Sequence, residues 1–245
     1  MTLPQLTTPT FELEIPSTKE KIRYRPFLVK EEKVLLIAME SGEETDITYA
    51  VKDTLKNCIL TEGIEVESLP SFDVEYIFLN IRGKSVGEII ELRFKHINGK
   101  NTKGEECKHI QDVNLNINDI KITFPEDHKK TITLLEEKNI GIIMKYPDIT
   151  LTNKFKDTGT QVDQIFHMVS ACIEKIWEGD QVYETKDYTT EEVETFLESF
   201  STQQFQKINQ FFETMPVLKH NIEYVCNGCK DTNKITLEGL QDFFT

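Results

Sequence analysis

Hydrophobic and polar residues alternate with two different periods along the chain, and the changes of period mark the predicted elements. Alternation at every second position over residues 11–15 and 22–27, with a Pro-Ser-Thr turn between them, predicts a β-hairpin. Apolar residues at helical spacing follow over 28–42, where Gly42 ends the pattern. Further helices are predicted over 49–60 and 71–81, the latter with Ser71 as N-cap, and strands over 88–96 and 112–124.

The second part of the chain again mixes helical and extended patterns. A β-pair is predicted around Lys138 and Asn139, and the polar segment 148–160 is the best candidate for a linker. Residues 161–177 place seven apolar side chains on one helical face, which predicts a long helix. The remaining elements are two helices with capping boxes (Thr189 with Glu192, Ser201 with Gln204), strands over 221–226 and 233–237, and a short helix over 237–244.

Composition and charge narrow the classes of function. The formal net charge is −14, so the clustered Lys and Arg of a protein that binds nucleic acid are not expected. No stretch approaches the roughly 18 apolar residues of a membrane helix, and the start of the chain does not read as a secretion signal. We therefore expect a protein that stays in the cytosol with reduced thiols and contacts neither membrane nor nucleic acid.

Two segments of the chain carry the same arrangement of aromatic, ligand-type and apolar residues. In the second, Tyr224-Val-Cys226 is followed by Cys229-Lys230, and in the first, Phe94-Lys-His96 is followed by Cys107-Lys108. Apolar residues lie six and eight positions after Cys107 in the first segment and after Cys229 in the second. The first segment has eight extra loop residues between its two ligand positions. We call residues 94–115 the first knuckle and residues 224–237 the second knuckle.

A weaker likeness extends upstream, where "VKDTLKNCI" and "IFHMVSACI" share apolar spacing and end on a Cys-Ile pair. We therefore predict an internal duplication. The predicted fold class is α+β, with two pseudo-repeated halves, each with helices feeding a small β-knuckle, preceded by an N-terminal β-hairpin. The predicted divisions are a hairpin arm over 1–27, a first half over 28–125, a β-pair and linker over 126–160, and a second half over 161–245.

The duplication gives the isolated Cys-x-x-Cys its missing partners. Two ligands hold zinc weakly, whereas four Cys and His ligands enclose it in a closed tetrahedral site. We therefore predict a structural zinc ion bound by His96, Cys107, Cys226 and Cys229, with His109 as the alternative histidine ligand. The alternative interpretation is a vestigial pair of hydrogen-bonded knuckles that has lost its metal.

Catalytic patterns are not found in the sequence. It contains neither a Gly-rich phosphate loop, nor a Gly-x-Ser-x-Gly elbow, nor a His-Glu-x-x-His motif in a suitable context, and we expect no enzyme. The Phe-rich helices over 191–214 and the terminal Phe243-Phe244 could contact a partner protein, although packing of the core explains them as well. A redox role for Cys226 and Cys229 is weakened because they precede a strand, not a helix N-terminus.

Several blocks, "LPQLTTPTFELEIPST", "YRPFLVKEEKVLLIAMESG", "PSFDVEYIFLNIRGKSVGE" and "ITLEGLQDFF", make the chain similar to a known family. The chain resembles the baseplate hub and hub-assembly proteins of T4-like contractile-tailed phages over nearly its whole length. This resemblance implies a late viral protein that acts in the host cytoplasm during tail assembly, either as a minor hub component of the virion baseplate or as an assembly factor. It implies hub proteins, and the tape-measure protein, as partners, and it transfers no catalytic residues.

Two other classes of function stay open from the sequence. A cytosolic zinc-ribbon adaptor or regulator would also use a Cys-rich knuckle, although its usual basic face conflicts with the charge of −14. A thiol oxidoreductase would use Cys226 and Cys229 as a reversible disulfide.

Overall fold

The computed structural model describes residues 6–96, 99–155 and 159–242. In chain order, the first part contains strands β1 (Phe11–Glu14) and β2 (Lys21–Tyr24), helices α1 (Val29–Ser41), α2 (Glu44–Cys58) and α3 (Ser71–Val86), and strands β3 (Ile89–Lys95) and β4 (Ile110–Asn116). The predicted hairpin is confirmed, because β1 and β2 pair antiparallel with Phe11 opposite Tyr24. Gly42 ends α1 in the left-handed region, at φ 71°, which glycine adopts without strain.

The second part continues with strands β5 (Thr131–Leu135) and β6 (Ile140–Met144), helices α4 (Leu151–Phe155) and α5 (Gln161–Ala171), and strands β7 (Ile173–Glu178) and β8 (Gln181–Glu184). Helices α6 (Thr190–Glu198) and α7 (Thr202–Thr214), strands β9 (Lys219–Val225) and β10 (Thr232–Glu238) and the short helix α8 (Gly239–Asp242) complete the described chain. Strands β5 to β8 form one antiparallel sheet in sequence order, whereas β3–β4 and β9–β10 are separate two-stranded hairpins. The mixed α+β class is therefore confirmed.

The capping boxes predicted for α6 and α7 are present. The side chains of Thr189 and Ser201 accept hydrogen bonds from the amides of Glu192 and Gln204, three residues on. Each box satisfies backbone donors that the first turn of a helix would otherwise leave open. Local sequence therefore fixes where both helices begin.

One predicted helix is wrong in its second part. Helix α5 ends at Ala171, and residues 173–178 form strand β7 between β6 and β8. The ring of Trp177 lies directly against Gly141 of β6. Only glycine leaves room for it, because a Cβ on Gly141 would lie 2.1 Å from this ring. Long-range strand pairing thus overrides an apolar pattern that also fits a helix.

Two further predicted segments differ in detail from the structure. The segment 148–160, predicted as a linker, contains helix α4, whose Leu151 is buried. The predicted terminal helix is α8, and Phe243 and Phe244 lie outside the described residues. The Phe-rich helices α6 and α7 bury Phe211 and pack Phe196, Phe200, Phe205 and Phe212 against a core.

Equivalent backbone hydrogen bonds relate the two parts of the chain. In the first, the Arg25 amide donates to the Cys58 carbonyl at 3.0 Å, and Tyr24 pairs with the next residue, Ile59. In the second, the Lys145 amide donates to the Cys172 carbonyl at 2.8 Å, and Met144 pairs with Ile173. Both cysteines are fully buried at the end of a helix, α2 or α5. The hairpins β1–β2 and β5–β6 therefore occupy equivalent places beside equivalent helix ends.

Three groups of buried side chains hold the fold together. The first core lies between β2, α2 and α3 and includes Ile22, Leu55 and Ile77. The second core lies between β6, α5 and α7 and includes Ile142 and Ile208. The hairpin core joins β3–β4 to β9–β10 and comprises Leu79, Ile90, Leu92, Leu115, Ile117, Ile120, Leu218, Ile222 and Leu237. The two knuckles thus share one core.

Within the described residues, none of the helices combines the length and the apolar character that crossing a membrane requires.

Candidate metal centre

Four side chains from the two knuckles converge at the ends of β3–β4 and β9–β10. The ligand atoms of His96, Cys107, Cys226 and Cys229 all lie within 4.8 Å of one another. The sulfurs of Cys107 and Cys226 are 3.9 Å apart, and Nε2 of His96 is 3.2 Å from the sulfur of Cys229. The structure therefore brings together the four residues that the sequence comparison selected.

The sulfur–sulfur separation fits a tetrahedral ion. With Zn–S bonds of about 2.3 Å, two thiolates in a tetrahedral site are about 3.8 Å apart. The 3.9 Å between Cys107 and Cys226 is close to this value and far from the roughly 2.05 Å of a disulfide. All five cysteines are free thiols. The donor set of three sulfurs and one imidazole nitrogen also suits zinc.

Tight turns in the first knuckle position His96 and Cys107. Gly99 has φ 68°, and its amide donates a hydrogen bond to the His96 carbonyl at 3.0 Å. The Gly99 carbonyl accepts a hydrogen bond from the Cys107 amide at 2.7 Å. Asn101 organises the turn over residues 101–105, because its side-chain oxygen accepts from the amides of Lys103 at 3.1 Å and Glu105 at 2.8 Å. This turn precedes Cys107, which joins the ligand cluster.

The second knuckle is a compact turn around Cys226. The Cys226 amide donates to the Asp231 carbonyl at 2.9 Å, and the Lys230 amide donates to the Cys226 carbonyl at 2.8 Å. Lys230 takes the left-handed conformation at φ 65°, which reverses the chain immediately after Cys229. The turn places both sulfurs on the same side, facing the first knuckle.

Gly228 leaves the space that the cluster needs. A Cβ at this position would lie 2.6 Å from Cβ of His109 and 3.3 Å from the sulfur of Cys107. The backbone between the two cysteines of the second knuckle can therefore approach the first knuckle closely. Any larger residue would push Cys107 or His109 away.

Backbone amides favour a thiolate at Cys226. The amide of Cys229 lowers the pKa of Cys226 most, and burial opposes this effect, while His96 and the amide of Gly228 lower the pKa further. At Cys229, the amide of Asp231 lowers the pKa, but burial and the neighbouring thiols of Cys226 and Cys107 outweigh it and raise the pKa. A second thiolate beside Cys226 is unfavourable unless a cation lies among the sulfurs.

Contacts outside the cluster also join the two knuckles. The Asp231 carboxylate accepts from the amide and the hydroxyl of Thr102 at 2.9 and 2.6 Å. The Asn227 amide donates to the side chain of Gln111 at 2.9 Å. The rings of Phe94 and Tyr224, the aromatic positions matched in the sequence comparison, stack with centroids 5.4 Å apart. Sequence reasoning missed the two polar contacts, because nothing local pairs residues more than 100 positions apart.

The alternative ligand and the remaining cysteines lie elsewhere. His109 is exposed and its Cβ faces Gly228, outside the cluster. Cys58 and Cys172 are buried in the first and second cores, and burial raises their pKa values to about 11 and about 12. They are therefore packing residues, as the apolar helix faces predicted.

Comparison with known families covers almost the whole chain. The family model described as "T4 bacteriophage base plate protein" matches residues 8–245. The chain belongs to this family. The resemblance found in the sequence is thereby confirmed for phage baseplate proteins, and a baseplate-related role in structure or assembly follows from it. Searches of curated proteins and of solved structures each found no match to the chain.

Proposed function

We propose that this baseplate protein helps to build the central hub of the tail baseplate through protein–protein contacts, without catalysis. The match of the baseplate family over residues 8–245 carries the proposal. The sequence blocks that resemble hub and hub-assembly proteins support the hub as the part of the baseplate concerned, with hub proteins and the tape-measure protein as partners. The place of action is the host cytoplasm during tail assembly, and the protein either leaves as an assembly factor or stays in the virion as a minor hub component.

The test is quantitative mass spectrometry of assembly intermediates and of purified mature tails. We expect the protein to copurify with hub proteins in the intermediates. Its absence from mature tails then assigns the assembly-factor form, and stoichiometric amounts assign the hub-component form. Intermediates that contain hub proteins but never this chain would refute the proposal in both forms.

We also propose that His96, Cys107, Cys226 and Cys229 bind one structural Zn²⁺. Each knuckle supplies two ligands, so the ion would join sequence positions more than 100 residues apart. Four protein ligands leave no coordination position for a substrate, which suits a structural role and not a catalytic one. The close sulfur spacing, the amides directed at Cys226 and the space at Gly228 support this proposal over a vestigial site.

Metal analysis of purified variants tests the zinc site. We expect one zinc per wild-type chain and loss of zinc in His96→Ala, because three remaining ligands hold the ion less tightly. His109→Ala is the matched control, since this histidine lies on the same hairpin outside the cluster. Zinc-free wild-type protein purified without chelators would contradict the site, as would equal zinc content in both variants.

The two alternative classes make different predictions. An adaptor or regulator of the zinc-ribbon type that binds nucleic acid needs a basic face, which fits poorly with a net charge of −14. A thiol oxidoreductase requires Cys226 and Cys229 to form a disulfide with retention of the fold. A reversible disulfide in wild-type protein, without loss of structure, would favour that class over the zinc site.

A further inference from the structure

Helix α1 exposes an unusual amount of apolar surface. Its sequence, VKEEKVLLIAMES, is apolar on several sides, yet its buried residues are only Glu31 and Ala38. A helix that is apolar around most of its circumference is normally covered on most sides. Five large apolar side chains of α1 remain exposed: Val29 (79%), Val34 (41%), Leu36 (55%), Ile37 (57%) and Met39 (47%).

A groove runs along part of this surface, between α1, α2 and α3. It has a volume of about 460 Å³, within the range of sites that bind ligands or anchor side chains. Its charged lining residues are Glu32 and Arg82. We call it the α1 groove, and its apolar lining includes Phe27, Leu35, Leu36, Met39, Ile47 and Val86.

The turn between α1 and α2, beside the α1 groove, is acidic. Residues 34–51 contain no lysine or arginine, and this segment joins α1 to α2 beside the groove. Its carboxylates are those of Glu40, Glu43, Glu44 and Asp46, all exposed. Charges at the rim of an apolar site select partners of opposite sign and increase their rate of association.

We propose that the α1 groove binds an amphipathic helix of another protein, with an apolar face of Leu, Met or Phe side chains and Lys or Arg beside that face. An apolar helix face at i, i+3, i+4 and i+7 fits a groove between helices, and the basic residues meet the acidic α1–α2 turn. This inference rests on the proposed function, because it names the chemical class of partner that a hub-building protein would contact here.

A second copy of this chain fits the α1 groove less well. Residues 28–51 contain two lysines and six carboxylates, so two copies packed through α1 would bring together two acidic surfaces. Like charges at an interface oppose association. The acidic rim therefore favours a basic partner helix over self-association.

The experiment measures binding of the purified full chain to a synthetic 18-residue helical peptide with Leu on one face and Lys on the other. We expect Leu36→Asn to weaken binding at least tenfold, because it puts a polar side chain in the groove. Ile37→Asn is the matched control, since Ile37 is equally exposed on the same helix but is not part of the groove lining. We expect this variant to bind as the wild type does.

Two further peptides separate the apolar contribution from the charge contribution. A peptide with Glu in place of every Lys should bind at least tenfold more weakly, and a scrambled Leu–Lys peptide without an apolar face should lose binding. Three results would each overturn the proposal. The first is an equal effect of Leu36→Asn and Ile37→Asn, and the second is equal binding of the Lys and Glu peptides. The third is self-association of the wild type that Leu36→Asn abolishes.

The outcome is independent of the tail-assembly measurement. Peptide binding that depends on Leu36, combined with absence of the chain from hub intermediates, would refute the hub role and leave the α1 groove in place. A chain that copurifies with hub proteins, and whose groove binds no basic helix, would retain the hub role and refute this inference.

Discussion

At the scale of single residues, Asp73 shows how a buried carboxylate ties the N-terminal hairpin to α3. It has no exposed surface, and its two oxygens accept from the amide of Ser17, at 3.1 Å, and from the Ser17 hydroxyl. Burial raises the pKa of Asp73 to about 6, although the bonds from Ser17 and the charge of Lys19 oppose that rise. At a pH between the two pKa values, Asp73 is therefore protonated in the folded chain and ionised in the unfolded chain.

The sign of the resulting pH dependence follows from this proton. Between pH 4 and pH 6 the folded state binds more protons at Asp73 than the unfolded state, so stability falls as the pH rises. The change amounts to about 2–3 kcal/mol for a shift of roughly two pKa units. We expect Asp73→Asn to remove this fall, as measured by urea unfolding of both proteins from pH 4 to pH 7.

Ser17→Ala provides the control for Asp73. It removes one donor to the carboxylate while leaving the group buried, so it should raise the pKa of Asp73 further and extend the fall in stability to higher pH. The comparison uses the differences in pH dependence among the three proteins, because the half-buried Glu75, whose pKa is also raised, contributes equally to each of them. A slope that Asp73→Asn leaves unchanged would show that another group is responsible.

At the scale of elements, the sequence predicts those parts whose signals are local. Gly42 ends α1, and the capping boxes at Thr189 and Ser201 start α6 and α7, as predicted, because each depends on residues within one turn. The continuation of α5 into residues 173–177 was wrong because β7 depends on pairing with β6, about 30 to 40 residues earlier. Its isoleucines and Trp177 suit both a helix face and a strand.

The likeness between the two parts of the chain includes the hairpins, which the predicted divisions separate from the halves. Those divisions separate a hairpin over 1–27 and a β-pair over 126–160 from the two halves. The hydrogen bonds from Arg25 to Cys58 and from Lys145 to Cys172 favour another arrangement, in which β1–β2 and β5–β6 each begin a half. We propose this division, because the equivalent hairpins, helix ends and knuckles then follow one order in both halves.

The candidate metal centre was predictable in its residues but not in its surroundings. Matched positions selected His96, Cys107, Cys226 and Cys229, because ligand chemistry restricts residue type and the duplication supplied the pairing. The choice between His96 and His109 required the folded structure, in which Cβ of His109 faces Gly228 outside the cluster. The exposed face of α1 was also missed, since the apolar pattern of a helix does not reveal which side lacks a covering element.

At the scale of the whole molecule, the three cores predict which segments of the chain lose stability when the proposed zinc is removed. The second core is built from elements away from the knuckles, and the first core meets the hairpin core at α3, which contributes Ile77 to one and Leu79 to the other. The hairpin core joins β3–β4 to β9–β10 beside the ligand cluster. Metal binding at such sites is coupled to folding of the segments that carry the ligands. Removal of zinc should therefore act on the two hairpins first.

Hydrogen exchange before and after chelation measures this division. We expect the amides of β3, β4, β9 and β10 to lose at least tenfold protection, because opening of the hairpins then no longer has to break four metal bonds. The amides of α2 and β6 should change little, since Leu55 and Ile142 stay buried in the first and second cores. Cys226→Ser should give the same pattern without chelator, and Cys58→Ala, which alters a buried cysteine outside the cluster, should not.

Two other outcomes would contradict this expectation. Uniform loss of protection throughout the chain would mean that the ion stabilises both halves as a single cooperative unit. Unchanged exchange in the hairpins would mean that the hydrogen bonds between Thr102 and Asp231 and the neighbouring contacts hold the knuckles together without a metal.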